Sequence, residues 1–295
     1  MMKDTNQRKI SPLNIILFVV LMVYVATMVL LIGWALLTSF KSQSDFRVNI
    51  IGLPEKWVWN YTTVFNKFKY TVFFEGVGNK NIGVGQMLLN TILYAGGCAI
   101  VQTLTPCVVA YCCARYKKYA LSKIIPYVVI TVMTLSIVGA LPSEIRMAQM
   151  LGLYDEIWGQ WIMKCNFLGT YFLVFLSTFH SIPAAMHEAA KIDGANDSVI
   201  MVKVIMPTVA PTIFTIMLLN FIGFWNDYTV PLVYLPHYPT ISQGLQYMVR
   251  INVNELATVP MRMTASMIVL IPILVLFVAF QKKLVGNITF GSIKG

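Results

Sequence analysis

Charged side chains are scarce in this sequence: they make up 12% of its 295 residues, against about 25% in an ordinary soluble domain. Apolar residues make up 57% of the chain, and the mean hydropathy is +0.70. So few charges cannot cover the surface of a water-soluble protein of this size. The composition therefore predicts a protein whose solvent is lipid.

Motifs of common enzymes and metal sites are also missing. No GxxxxGK[ST] stretch is present, so we expect the chain itself to bind no nucleotide. Among three histidines, His187 with Glu188 begins an HExxH pattern, but Lys191 stands where the second zinc ligand belongs. The five cysteines form no CxxC pair. We expect no catalytic residue, no metal and no cofactor.

Long uncharged runs dominate what is present. A hydrocarbon core of about 30 Å needs about 20 apolar helical residues, and the runs do not alternate as barrel strands do. Six runs meet or approach that length: Ser11–Phe40, Asn81–Ala114, Ile124–Ser143, Cys165–Met186, Val204–Asn226 and Met263–Gln281. The sequence predicts an all-α polytopic membrane protein with six transmembrane helices.

Two apolar stretches need separate interpretation. The first run is far longer than the apolar region of a signal peptide and has no small-residue cleavage site after it, so we expect a retained first helix. Tyr228–Val249 is uncharged but contains Pro231, Pro236 and Pro239. Because proline breaks helices, this stretch is predicted to be the end of one span followed by a reentrant or external loop.

Basic residues indicate the topology. They lie before the first run, between the second and third, and after the sixth: Lys3, Arg8, Lys9, Arg115, Lys117, Lys118, Lys123, Lys282 and Lys283. The positive-inside rule makes that face and both termini cytoplasmic. The net charge of +10 is then explained by basic residues that set the topology and contact anionic lipid headgroups. No nucleic-acid partner is expected.

The polar stretch His187–Pro211 lies between the fourth and fifth runs and faces the cytoplasm in this topology. Glu188–Ile192 favours a helix, Gly194 suits a left-handed turn after it, and Asp197 is suited to cap a second short helix. Ala189 and Ala190 would leave a smooth patch for the groove of a partner. An interfacial linker without a partner remains the alternative.

Three groups of residues in this stretch carry a resemblance. Glu188-Ala189-Ala190, Asp193-Gly194-Ala195 and Ile205-Met206-Pro207 resemble, in order and spacing, the EAA loop of permeases in binding-protein-dependent ABC importers. Phe224-Trp225-Asn226-Asp227 with Pro231-Leu232 resembles the carbohydrate-importing, maltose-type MalG-like branch, and Asn287–Gly295 resembles its tail. The resemblance runs from about residue 12 to the end; the segment Asn66–Gly85 is longer than usual.

The resemblance implies the type I ABC importer permease fold and a transport role. The expected domains are a cytoplasmic tail (1–11), a first transmembrane helix (12–38), an extracytoplasmic loop (39–85), the permease domain (86–285) with the EAA loop at 187–211, and a cytoplasmic tail (286–295). The implied partners are an ABC ATPase dimer that binds the ATP, a second and distinct permease subunit, an extracytoplasmic solute-binding protein and membrane lipid. The implied location is a bacterial cell membrane.

Candidate site residues fall into two sets. The resemblance assigns coupling to the ATPase to residues of the EAA loop: Glu188, Ala189, Ala190, Asp193, Gly194, Ala195, Ile205 and Pro207. Polar or aromatic residues in or beside the apolar runs are candidates for the substrate path: Asn90, Gln102, Asn220, Trp225, Asn226 and Asp227. Such residues also serve as interhelical contacts, and for Asp227 we favour a structural role.

Two alternatives stay open at this stage. The cargo of an ABC permease of this kind could instead be a glycerol phosphate, a polyol or a peptide. A secondary transporter or channel would leave the charged EAA segment without a role, and its uptake would not depend on a separate ATPase.

Overall fold

A computed structural model describes residues 12–74, 78–135, 139–250 and 256–288 of the chain. These residues are mostly helical. They form two compact units, one from the described residues within Met1–Lys67 and Ile251–Ile268, the other from those within Phe68–Arg250 and Val269–Gly295.

The first unit begins with three helices: α1 (Pro12–Ser39), α2 (Gln43–Val48) and α3 (Asn60–Lys67). The α2 helix is capped by Ser42, whose hydroxyl accepts from the backbone N–H of Asp45 at 3.2 Å. Asn60 donates from its amide to the backbone oxygens of Ser39 and Lys41, both at 2.8 Å. This buried amide satisfies carbonyls that the end of α1 leaves unpaired.

The α1 helix is the most apolar element of the chain. Its 28 residues contain no charge, and none of its most apolar 18-residue window is buried within the chain. Proline at its first position needs no intrahelical hydrogen bond. An apolar helix exposed all round suits lipid or another membrane helix.

The second unit contains a β-hairpin and the remaining helices. Its elements before the polar stretch are β1 (Lys69–Phe74), β2 (Gly78–Gly83), α4 (Val84–Arg115), α5 (Ala120–Thr134), α6 (Leu141–Met150), α7 (Ile157–Met163) and α8 (Thr170–His180). Those after it are α9 (Ala184–Ile192), α10 (Asp197–Val199), a π-helical segment (Ile200–Ile205), α11 (Met206–Asn226), α12 (Thr229–Tyr234) and α13 (Ile241–Arg250). The last helix, α14 (Val259–Ile288), belongs to the first unit up to Ile268 and to the second unit from Val269.

The α4 helix is the centre of this unit, and it packs most extensively against α11 and α8. A buried cluster joins Tyr111 of α4, Phe175 and Phe179 of α8 and Ile216 of α11. Ile200 and Ile205 of the π-helical segment belong to the same cluster. The apolar core therefore reaches directly beneath the polar stretch between α8 and α11.

The hairpin departs from the all-α expectation. Its strands are antiparallel, with Lys69 opposite Gly83 and Phe74 opposite Gly78. The ring of Tyr70 lies 4.6 Å from that of Tyr247, and its hydroxyl accepts from the Gln243 amide at 3.0 Å. The segment that looked merely long in the sequence is therefore an ordered element held by α13.

Within the described residues, four helices are long and apolar enough to cross a membrane: Pro12–Ser39, Val84–Arg115, Asp197–Asn226 and Val259–Gln281. The predicted third and fourth runs hold shorter apolar helices, α5 with 15 residues and α8 with 11. Residues 136–138 of the third run lie outside the described residues. The fourth run breaks at Pro183, which caps α9 rather than continuing α8.

The proline-containing stretch Tyr228–Val249 is more regular than predicted. Most of it forms α12 and α13, with a short connection that contains Pro236 and Pro239. Pro231 lies in the first turn of α12, where a missing N–H removes no intrahelical bond. The predicted loop therefore contains two short helices, because its prolines lie at the start of a helix or in the connection.

A polar cluster ties three connections of the second unit together. Asp155 has a left-handed φ of 60° and donates its backbone N–H to the carbonyl oxygen of Tyr234 at 2.8 Å. Its carboxylate contacts the His237 ring and accepts the His237 backbone N–H at 3.0 Å. His237 Nε2 lies 2.9 Å from the carbonyl oxygen of Phe73 in β1.

Candidate functional site

The polar stretch after α8 forms a helix, a tight turn and a second helical start. The α9 helix ends at Asp193, and Gly194 follows with φ of 81°. Gly194 and Ala195 donate their backbone N–H groups to the carbonyls of Lys191 and Ala190, both at 3.1 Å. The predicted left-handed glycine after the first helix is confirmed.

The cap of the next helix is one residue earlier than predicted. The side chain of Asn196, not Asp197, accepts from the backbone N–H of Val199 at 2.9 Å. Asp197 instead occupies the first helical position, where its negative charge still favours the N-terminus of the helix. Both residue types are good caps, so sequence alone did not distinguish them.

The second helix is not a separate short element. The helical backbone runs without a break from Asp197 through the π-helical segment to Asn226, over 30 residues. Pro207 lies within the first two positions of α11 and does not interrupt it. The turn at Gly194 is therefore followed, after two further residues, by one continuous helical segment that contains α11.

The two faces of α9 have different environments. His187 and Ala190 are buried at 8% and 9% exposure and face the core, as residues three apart on a helix do. Glu188 and Ala189 are exposed, and Ile192 is 86% exposed. The expectation that Ala190 forms part of an exposed patch was wrong; Ile192 takes that place beside Ala189.

Asp197 is the electrostatic centre of this site. Its Oδ1 atom lies 3.5 Å from His187 Nε2, 3.8 Å from Lys191 Nζ and 3.9 Å from Arg115 Nη2. The hydroxyl of Tyr116 donates to its Oδ2 atom at 3.4 Å. These groups come from α9 and from the end of α4, so the contacts hold the turn against α4. Because the carboxylate is partly exposed, each pair contributes only about 0.2–1 kcal/mol.

His187 is neutral at pH 7. Burial lowers the pKa of its imidazole below the ordinary value of 6.5, and the nearby Arg115 cation lowers it further, against the opposing effect of Asp197. Protonation is therefore less favourable in the folded chain than in the unfolded chain. Stability contributed by this histidine falls as the pH drops below about 6.5.

Three of the predicted substrate-path residues hold the second unit together. Asn90 donates to the carbonyl of Pro239 at 3.1 Å, and Asn220 donates to the hydroxyl of Thr103 at 3.0 Å. Trp225 is 3% exposed and donates to the carbonyl of Val269 at 3.0 Å. Each bond joins two elements, so these side chains have a structural role whatever else they do.

The other three substrate-path candidates differ in their surroundings. Asn226 is exposed and bonds to its own helix at the carbonyl of Ile222. Asp227 accepts from the Tyr94 hydroxyl at 3.2 Å and, through its other oxygen, from the backbone N–H of Thr229 at 2.8 Å. It therefore caps α12 and fixes that helix to α4.

Gln102 is distinct among these candidates. Its Oε1 atom is buried and has no hydrogen-bond partner within the described residues. It borders a cavity of about 40 Å³ that Asn166 and Tyr171 also line. A volume of that size holds ordered water rather than a sugar ring, but the lining combines amides with an aromatic ring.

Sequence reasoning missed Ile192 as part of the exposed face and Arg115 as a contact of the turn. Ile192 follows Glu188 by four residues and Ala189 by three, so helical spacing alone places the three on one face. Arg115 lies 82 positions before Asp197, and no local pattern predicts a contact at that distance.

These features define a helical membrane protein with an exposed polar helix–turn element between apolar helices. The family model for "Binding-protein-dependent transport system inner membrane component" matches residues 107–289, and the chain belongs to this family. It is a transport component and not an enzyme. The matched residues include the complete polar element between α8 and α11.

Named relatives cover most of the chain. It is 24% identical to the diacetylchitobiose uptake system permease protein NgcG of Streptomyces coelicolor, over 88% of this chain and 82% of that one. It is 25% identical to the melibiose/raffinose/stachyose import permease protein MelC of Bacillus subtilis, over 88% and 89%. A chain of a bacterial ABC transporter involved in alginate import superposes with a TM-score of 0.75, at 23% identity, covering 95% of this chain and 99% of that chain. That likeness shows the ABC importer permease fold.

Proposed function

We propose that this chain is one transmembrane permease subunit of an ATP-driven importer that carries a carbohydrate into a bacterial cell. A separate ATPase dimer would bind and hydrolyse the ATP. An extracytoplasmic binding protein would deliver the mono- or oligosaccharide, and a second, distinct permease would complete the path. Rigid-body alternation between inward-open and outward-open states would move the cargo.

One observation carries the coupling part of this proposal: α9 presents Glu188, Ala189 and Ile192 outward, while His187 and Ala190 of the same helix are buried against the core. An isoleucine 86% exposed beside a carboxylate is suited to a partner groove with a small apolar floor and a charged rim. The continuous helix from Asp197 to Asn226 gives a rigid path from that face into the apolar region. ATPase closure would move α9, and α11 would follow.

Six crossings with both termini in the cytoplasm fit this assembly. Four helices are long enough to span, and the apolar helices α5 and α8 would complete the other two crossings together with adjoining residues. The basic cluster after α4 and the polar turn at Gly194 then lie on the same, cytoplasmic side. The exposed length of α1 supports a second permease, against which this helix would pack within the membrane.

The carbohydrate cargo is supported by the relatives, which include permeases for diacetylchitobiose and for melibiose, raffinose and stachyose. Among the path candidates, Gln102 has a buried oxygen without a partner within the described chain, and it would accept from a hydroxyl-bearing solute in a state that widens the adjoining cavity of about 40 Å³. Asn166 and Tyr171 beside it supply a further amide and an aromatic face.

Site-directed crosslinking tests the proposal. The exposed native cysteines, Cys112 and Cys165, are first replaced by serine. Ala189→Cys in the complete transporter is then expected to crosslink to a cysteine placed in the cleft of the ATPase. The neighbouring Ala190→Cys provides a matched control, because that position is only 9% exposed and should crosslink far less.

Labelling gives the sidedness of the same position. Ala189→Cys should react with a membrane-impermeant maleimide only in inside-out vesicles. Labelling from the outside, or equal crosslinking at positions 189 and 190, would contradict the coupling role.

A further inference from the structure

A cavity of about 420 Å³ lies between the end of α4, the end of α8 and the side of α9 that carries His187, Glu188 and Lys191. Its lining contains three permanent cations, Arg115, Lys117 and Lys191, against one carboxylate, Glu188. Two histidines, His180 and His187, add further potential donors. A concave site with this excess of donors attracts an anion.

Several of these donors lack protein partners. Tyr111 lines the cavity at 6% exposure, and its buried hydroxyl has no hydrogen-bond partner within the described residues. The Nε atom of Arg115 is buried and equally unpartnered there. Buried polar atoms are normally satisfied by protein, water or a ligand, so these two atoms leave hydrogen-bonding capacity unused in residues that line the cavity.

The acidic residue Asp197 does not satisfy the cluster. Its Oδ1 atom stands 3.5–3.9 Å from His187, Lys191 and Arg115, outside good hydrogen-bond geometry for each, and is itself without a hydrogen bond. The cavity therefore has three positive charges, and Asp197 neutralises one of them. Glu188 neutralises at most one more. The remaining positive charge and the free donors are left for an acceptor with several oxygens.

The lining of the cavity also includes apolar side chains, Phe179, Ile182 and Ile205. A cavity lined by both basic and apolar side chains is suited to an anionic group, either alone or attached to an apolar body. A guanidinium, an ammonium and a phenol together match the oxygens of a phosphate group, which accepts from several donors at once.

We propose that this cavity binds a phosphate group between α4 and the coupling helix α9. The source is either the headgroup of an anionic phospholipid or a soluble phosphate compound. A phosphate there would bridge Arg115 and Lys117 of the α4 end to Lys191 of α9, and so brace the coupling element. Binding itself depends on neither the cargo nor the ATPase contact, so this proposal and the transport function fail independently.

The lipid arm of the test uses the complete transporter in nanodiscs of phosphatidylcholine with phosphatidylglycerol. Native mass spectrometry then counts the phosphatidylglycerol molecules that remain bound. Replacing both Arg115 and Lys117 by glutamine is expected to remove one retained lipid per copy of this chain and to weaken binding about 30-fold. Lys118→Gln removes a neighbouring exposed charge that does not line the cavity and should leave the count unchanged.

The soluble arm titrates the same complex in neutral detergent with inorganic phosphate by calorimetry. If the unmodified complex and Lys118→Gln give a saturable binding heat and the double variant does not, the site binds a soluble phosphate. The double variant also removes the contact between Arg115 and Asp197. Lys117→Glu is the control for that effect, because the exposed side chain of Lys117 does not contact Asp197. This single variant should also abolish phosphate binding. Identical behaviour of the double variant, Lys117→Glu and Lys118→Gln in both arms would overturn the proposal.

Discussion

At the residue scale, Gly194 is the position where the coupling element depends most on backbone conformation. Its φ of 81° is left-handed, and a Cβ atom added there would meet nothing within 4 Å. A substitution therefore costs backbone strain rather than a clash, about 1–2 kcal/mol for an ordinary residue and more for a β-branched one. Gly194→Val is expected to insert into the membrane normally but to lose uptake, because the turn after α9 must change.

Gly194→Asn is the matched variant, since asparagine tolerates the left-handed conformation. It should keep most of the uptake. Transport assays at equal membrane amounts of the two variants decide the point. Normal uptake by Gly194→Val would show that this turn does not position the coupling helix.

The same element shows what single-residue reasoning predicts from sequence. Gly194 was predicted because a helix stop and a left-handed glycine are both local. The choice between Asn196 and Asp197 as cap failed because both satisfy the local rule equally. Ala190 was placed outside because the orientation of α9 about its axis is set by packing against the core under it, and the sequence of α9 does not contain that information.

At the scale of elements, the contact of α4 with α7 depends on one of two adjacent glycines. A Cβ atom on Gly97 would lie 2.1 Å from Nε1 of Trp161, whereas one on Gly96 would meet nothing within 4 Å. The same indole donates to the carbonyl of Leu93 at 3.1 Å. Gly97→Ala should therefore displace Trp161, break this bond and destabilise the chain by about 2 kcal/mol.

Thermal unfolding of the purified complex, followed by tryptophan fluorescence, measures the effect. Gly96→Ala has the same change in composition and helix propensity and should unfold at or above the temperature of the unmodified protein. Equal melting temperatures for the two alanine variants would mean that Trp161 repacks without cost, and that α7 is not held through this contact.

The β-hairpin marks the limit of prediction at this scale. Its first strand consists of aromatic and β-branched residues between positions 70 and 74, a composition typical of strands. In a chain dominated by long apolar helices, a short polar segment with that composition was interpreted only as an extended loop. Its order comes from distant partners, Tyr247 and Gln243 on α13.

At the scale of the whole molecule, composition alone predicts a membrane protein, since it reflects the solvent of the entire chain. The number of crossings is harder to predict. Uncharged runs were counted as helices, but Cys165–Met186 contains a helix of only 11 residues before Pro183 starts α9. A hydropathy profile cannot locate a helix end inside an apolar run, because the residues on both sides are equally apolar. A proline such as Pro183 does indicate the end, because proline disfavours the helical conformation of the residue before it.

Assembly is the property of the whole molecule that α9 is expected to govern. Ile192 is 86% exposed, lies on the same face as Ala189 and Glu188, and is therefore free to be buried by a partner. Burying such a side chain contributes about 1.5–3 kcal/mol, and an aspartate in its place would have to be desolvated in the interface. Ile192→Asp should lower ATPase copurification with the permease at least tenfold.

The fold of the chain should not change, because a side chain this exposed supports little of its own core. Ile192→Val keeps most of the apolar contact and is expected to copurify almost normally and to retain transport-coupled ATP hydrolysis. If both variants have the same membrane amount and the same melting temperature, the loss of ATPase copurification is an effect on assembly and not on folding. If Ile192→Asp nevertheless retains the ATPase in full, the outward face of α9 is not where the partner binds, and another cytoplasmic segment must carry the force.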